Sequence, residues 1–215
     1  MERDLLAHHA EQLLLFIRST EIPESSGWPF SSTIKFAAIH ESIHAYMVSF
    51  AKSRNANIIY DTLWNQWSID LSSPLLSGSS IPGLPEGWRS EKVPEENLEI
   101  VIKHSAIKRQ KETLRLLESR CLINEKDEMV AWAFIGLDGS LCTMHVLEEY
   151  RKRGLATIVA KRLLMKRKES REEGSGWVHA EVGEGNVASE GVMRTLGAIK
   201  SFRTGYAGID VENLI

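Results

Sequence analysis

The sequence predicts an α/β protein in two parts, and three observations carry that prediction. Residues 5–18 have the apolar spacing of an amphipathic helix, whereas several later stretches alternate as strands do. A Ser/Pro/Gly-rich stretch from Ser72 to Pro85 reads as a linker. Beyond it, strands and helices follow one another in a steady order. We place the boundary near Pro82: residues 1–83 form a smaller, helix-rich N-terminal segment of unknown role, and residues 84–215 form one domain.

Element by element, Leu5 to Arg18 carries apolar residues at Leu6, Leu13, Leu14 and Ile17. Pro23 and the Glu24–Gly27 cluster stop that helix. Ser32 or Thr33 is placed to cap a second helix reaching about Ala51. Ile58 to Ile69, with Trp64 and Trp67, reads as one or two strands. Trp88 to Val93 is a strand. Pro94-Glu95-Glu96 opens a helix, because Pro and acids suit a first turn. Lys111 to Glu118 is helical, and Arg120–Asn124 and Met129–Leu137 are strands around the turn Glu125-Lys126-Asp127. Asp138-Gly139 marks a tight hairpin feeding the strand Leu141–Val146. A long helix Gly154–Glu169, a strand Trp177–Val182, a helix Val187–Leu196 and a strand Ala198–Tyr206 complete the chain.

The composition bounds the class. The chain has 215 residues, 43% hydrophobic and 26% charged, ordinary for a globular protein with a good core. The formal net charge of −3 gives no argument for nucleic acid. The charged start Met1–Asp4 and the short run Leu13–Phe16 do not make a signal peptide, and no run suits a membrane span. Cys121 and Cys142 lie in apolar strand-like stretches and read as buried thiols, which fits a reducing compartment. The expected location is cytoplasmic, with the nucleus as the alternative. No metal is expected.

One stretch carries the chemistry. Thr143 to Ala156 reads T-M-H-V-L-E-E-Y-R-K-R-G-L-A, a strand running through an acidic turn into a helix. The first N–H groups of a helix have no intrahelical partner, and with the helix dipole they form an anion site. Gly154 lets a phosphate approach the backbone, small Ala156 keeps the next turn open, and Arg151, Lys152 and Arg153 add positive charge. The pattern Arg151-x-x-Gly154-x-Ala156 resembles the pyrophosphate-binding motif of the GNAT acyl-CoA N-acyltransferase superfamily. A second stretch, Asn186-Val-Ala-Ser189 leading to Leu196-Gly197, is similar to that family's next motif and stands in the expected order of elements. The narrower likeness is to the glycine N-acyltransferase-like group, through Glu149-Tyr150-Arg151-x-x-Gly154-Leu155 and the Asn186 helix. It covers residues 85–207, and residues 1–80 would be a shortened counterpart of that group's N-terminal half.

The resemblance implies a GNAT-type mixed, mostly antiparallel twisted sheet flanked by helices. It implies acetyl-CoA or another acyl-CoA as cosubstrate and direct transfer to an amine. Backbone groups of Met144, His145 and Val146 would pair with the pantetheine arm and supply an oxyanion donor. Arg151 to Ala156, Leu155 included, would hold the pyrophosphate. Asn186 is either a plain N-cap or reaches the pantetheine, and Ser189 would face CoA.

Catalysis departs from the family pattern. The usual glutamate base falls at Ser140, and the usual tyrosine acid falls at Met193. Three substitutes remain: His145, which is otherwise a structural strand histidine, Glu181 on the next strand, and Glu149 in the turn. The basic residues Lys161, Arg162, Lys166, Arg167, Lys168 and Arg171 form a solvated face or in part contact the 3′-phosphate. Glu95, Glu96 and Glu99 either line the acceptor entrance or solubilise their helix. The expected function is an N-acyltransferase, most simply an N-acetyltransferase, acting on a small amine or amino acid as monomer or homodimer. The alternatives are a catalytically silent acyl-CoA-binding module and a protein lysine acetyltransferase.

Overall fold

The computed structural model describes residues 2–20, 32–105, 107–170, 176–212 and 214. The expected break at Pro23–Gly27, and Arg171, lie outside the described residues. Among the described residues, helices α1 (Glu2–Arg18), α2 (Glu41–Ser53), α3 (Leu98–Lys103), α4 (Lys111–Leu116), α5 (Leu155–Glu169) and α6 (Val187–Thr195) are interspersed with eight strands. These are β1 (Thr33–His40), β2 (Ile58–Asp70), β3 (Arg89–Glu91), β4 (Glu118–Ile123), β5 (Met129–Ile135), β6 (Leu141–Val146), β7 (Trp177–Gly183) and β8 (Ile199–Asp210). They form two sheets, ordered β1-β8-β2-β7 and β3-β4-β5-β6. The mixed α/β architecture expected from sequence is therefore present.

The chain divides into two compact units. The first comprises Met1–Gln66, Val182–Gly185 and Ser201–Ile215. Its core joins Ala10 and Leu14 of α1, Met47, Val48 and Ala51 of α2, and Ala207 and Ile209 of β8. The spacing of these helical residues places them on one face of each helix. One expectation is corrected here: the start of the proposed second helix, Thr33–His40, is a strand, antiparallel to β8 from Thr33↔Asp210 to His40↔Thr204. Thr33, Ile34 and Phe36 suit a pleated, half-buried surface. The helix begins only at Glu41, where Nδ1 of His40 accepts the Ser42 N–H at 3.2 Å.

The second unit comprises Trp67–Glu181 and Asn186–Lys200. Strands β3 to β6 form an antiparallel meander with β5 inside it. All seven residues of β5 are buried, the pattern of a strand covered on both faces. Leu98 and Val101 of α3 and Leu114 of α4 pack with Cys121, Trp132 and Phe134. Helix α5 packs on β4, β5 and β6. Gly139 at φ +82° closes the β5–β6 hairpin as its Asp-Gly pair predicts. Both cysteines are free thiols; burial pushes Cys121 up to about 12 and raises Cys142 as well.

Candidate active site

Strand β6 is the last strand of its sheet, and β7 is the last strand of the other. On one edge β6 pairs with β5, from Ile135↔Leu141 to Ala131↔Val146. On the other edge a single parallel bridge, Ser140↔His179, joins it to β7. Past that bridge β6 has no further ladder partner on this edge among the described residues. The β5–β6 register shifts inside β6, where Thr143 has a φ of +49°. The Thr143 hydroxyl is buried there without a hydrogen-bond partner.

The strand then feeds the turn that carries Arg151 and Gly154. A short 3-10 turn, Glu148–Tyr150, leads to Arg151, and α5 starts after Gly154. Gly154 has φ +73°, a left-handed conformation that glycine adopts without strain. Nothing lies within 4 Å of the position a Cβ would take, so the space beside the helix start is open. The Ile158 N–H bonds to the Gly154 carbonyl at 3.1 Å. The N–H groups of Leu155, Ala156 and Thr157 therefore precede the intrahelical ladder and are available to an anion. No acidic residue stands in the first turn to compete.

The three cations of the motif differ in what they do. Arg151 Nε donates to the Val146 carbonyl at 3.2 Å, tying the turn back to the end of β6. Arg153 donates to the Glu149 carbonyl at 3.1 Å and lies over the Tyr150 ring. Lys152, at φ +63°, is exposed. Tyr150 in turn accepts from Asn124 Nδ2 at 3.0 Å, and Asn124 Nδ2 also donates to Glu128, so a part-buried side-chain network ties this turn to the β4–β5 turn.

Asn186 caps α6, its side chain accepting the Ser189 N–H at 3.1 Å. Ser189 is half-buried one turn on. Helix α6 itself contacts α5. Met193 is only 2% exposed and packs into the core rather than standing in for a catalytic acid.

The titratable residues fall into two groups. His145 stacks on Trp132 at 4.9 Å and on His104 at 4.8 Å. Burial, then His104 and Arg151, lower its pKa and so favour the neutral ring. The second group sits at the β6–β7 bridge. Ser140 donates both its hydroxyl (2.7 Å) and its amide (3.0 Å) to Asp138 Oδ1. Burial acts to raise Asp138, but these two bonds and nearby His179 outweigh it and lower its pKa. Nε2 of His179 is 3.4 Å from Oε1 of Glu181. Burial foremost, aided by Asp138, raises the Glu181 pKa, against opposing effects of His179 and its own amide. The structure thus brings Ser140 and Glu181 to one place and leaves His145 five residues farther along β6. Sequence reasoning missed Asp138 and His179. The His-x-Glu alternation on β7 was the available signal, since i and i+2 share a strand face.

Elsewhere the acids and bases are largely occupied. Glu95 pairs with Arg115 at 2.5 Å and Glu99 with Lys111 at 3.3 Å. The solvated-face reading of α5 is corrected in part. Lys161 is buried and donates to the Ser80 carbonyl at 3.2 Å, and Arg167 bonds Glu118 at 2.9 Å. No cluster of His, Cys, Asp or Glu able to hold a metal occurs among the described residues, and no helix there is long and apolar enough to cross a membrane.

Comparison with known proteins bears on this geometry. Residues 121–207 match the family model described as FR47-like protein, a stretch that includes β6, the turn, α5 and α6. The structure is similar to that of a Drosophila protein at 16% identity and TM-score 0.70, covering 87% of this chain and 64% of that one. It is similar to a tandem GNAT protein from the clavulanic acid biosynthesis pathway at 14% identity and TM-score 0.59, covering 83% and 63%. It is also similar to a GCN5-related N-acetyltransferase from Kribbella flavida at 14% identity and TM-score 0.54, covering 83% and 67%. The chain thus spans about two thirds of the length of these structures. No curated protein sequence matches it.

Proposed function

Because the chain has the GNAT fold, with an FR47-like segment over residues 121–207, we propose that it is an acyl-CoA-dependent N-acyltransferase acting on a small amine or amino acid. The observation that carries this reading is the unpaired edge of β6 running straight into a helix start opened by Gly154. The residues suit the cosubstrate. The free β6 edge matches an amide-bearing arm that adds like a strand. The α5 N-terminus matches a pyrophosphate.

In this reading the pantetheine lies along Met144, His145 and Val146, and the pyrophosphate lies on the N–H groups that follow Gly154. A β6 amide on its outer edge donates to the thioester oxygen as charge builds on it. Arg151 shapes the turn, and Lys152 and Arg153 add field. Of the candidate bases, Glu181 fits best. Its carboxylate is 12% exposed on its side chain, Oε1 accepts no hydrogen bond, and its raised pKa favours taking a proton. It removes the ammonium proton directly or through a water, and the amine then attacks the thioester carbon. The C–S bond breaks and the thiolate leaves, and the second proton, lost from the attacking nitrogen, passes to it directly or through solvent. Ser140 positions Asp138 and is not itself the base. His145, held between two rings, is assigned to packing.

The test is calorimetric titration with acetyl-CoA, CoA and CoA lacking the 3′-phosphate, followed by thiol-release assays over an amine and amino-acid panel. Micromolar binding with turnover on the panel is the expected result. Absence of CoA binding overturns the site. Binding without any turnover favours the silent module, to which buried Met193 and the engaged Ser140 hydroxyl give some support.

A further inference from the structure

A second cleft lies in the same unit, on the far part of α5. Its cationic lining comes from Arg162 and Lys166 of α5 and Arg120 of β4, with Ser90 of β3 beside them and Glu169 as the acidic member. Arg162, Lys166 and Glu169 recur at four- and three-residue spacing and so share one face of the helix. The cleft holds about 280 Å³, roughly nine times the liquid volume of one water. Three of its polar atoms, Arg120 Nε, Arg162 Nε and Ser90 Oγ, are buried without a hydrogen-bond partner. Native proteins leave few such atoms unsatisfied, so a cluster of three in one open cleft points to an acceptor that completes it. The acid Glu118 pairs with Arg167 through Oε1, and its Oε2 is itself buried without a partner, so it satisfies none of these three atoms. Three cations against one carboxylate leave a net charge of two positive.

We propose that this cleft binds the phosphate of a small phosphomonoester, as a second ligand site distinct from the α5 N-terminus. Two guanidinium groups present planar forks suited to phosphate oxygens, and a dianion balances the net charge. The volume leaves room for a short organic group beyond the phosphate. Eight residues of helix separate Gly154 from Arg162, about 12 Å along the axis. The two anion sites can therefore be filled together.

The test uses glycerol 3-phosphate, inorganic phosphate and succinate, titrated by calorimetry into the Gly154→Glu protein, whose helix N-terminus is closed to phosphate. That background keeps the outcome independent of whether CoA binds. Glycerol 3-phosphate should bind more tightly than succinate, and Arg162→Met and Arg120→Met should each weaken it at least tenfold. Arg162→Lys should weaken it less. The ligand-free Arg162→Met protein should melt no lower than its parent, since the arginine it removes has an unpartnered Nε. The proposal is overturned by no binding, by affinity unchanged in both methionine variants, by preference for succinate, or by competition with CoA in the parent protein.

Discussion

Nε2 of His179 lies 3.4 Å from Oε1 of Glu181, within ion-pair range, yet that oxygen accepts no hydrogen bond. A carboxylate held beside a histidine but left with an open lone pair is suited to receiving a proton from a third group. Replacing Glu181 by Gln should lower kcat by about 10²–10⁴-fold with acyl-CoA affinity retained. In the parent, kcat/KM should rise with pH as Glu181 ionises. The limb should fall above the ordinary glutamate value of about 4.3, because burial raises that pKa. Steady-state profiles of parent and Glu181→Gln would show it, and an unchanged profile in the variant would remove Glu181 from the reaction.

The same shift has a stability consequence of definite sign. A carboxyl whose folded pKa exceeds its unfolded value stabilises the fold while protonated, and that contribution is lost as pH rises through the folded pKa. Glu181→Gln should therefore melt less steeply with pH than the parent above about pH 4.3, and should match or exceed its Tm near pH 7. Thermal melts across that range, read as the difference between the two proteins, check the sign.

Gly154 separates two effects in one position. Its φ of +73° makes Gly154→Ala cost about 1–2 kcal/mol of stability, although nothing lies in the way of the added Cβ. Gly154→Glu should fold with a similar penalty yet bind no CoA, since its charge stands where phosphates are expected. Calorimetry on both variants, alongside melts, distinguishes the strain from the electrostatics.

His145 tests the opposite assignment. His145→Phe retains a ring against Trp132 and should keep turnover within about threefold. His145→Ala loses ring stacking worth about 0.5–1.5 kcal/mol and should lower the Tm. A collapse of kcat in His145→Phe with unchanged Tm would return the catalytic role to the imidazole.

Asn186→Ala removes the α6 cap, whose acceptor bond to the Ser189 N–H is 3.1 Å long. The expected cost is about 1 kcal/mol, seen as a lower Tm, with CoA affinity nearly unchanged. A large loss of affinity at unchanged Tm would instead place Asn186 against the cosubstrate.

Local signals in the sequence were enough for β6, where the apolar run Leu141–Val146 and the Asp138-Gly139 turn define both ends. They were also enough for α5, whose start is written into Gly154. Thr33–His40 was misread because its strand state depends on β8, a partner about 170 residues away, while Ser32 and Thr33 resemble helix caps. Lys161 was read as solvated because a run of charges hides which member of the face turns inward to Ser80. His179 was overlooked for a similar reason. Its significance comes from the bridge to Ser140, a parallel pairing that no short spacing announces.

The open edges of β6 and β7 also carry a liability. Unsatisfied strand edges are templates for any extended chain, including another copy of the same one. The outer edge of β6, bridged among the described residues only at Ser140↔His179, is exposed to unwanted strand addition whenever it is uncovered. A ligand lying along β6, as proposed, would act as a molecular stopper, and colloidal behaviour in solution would become a readout of occupancy.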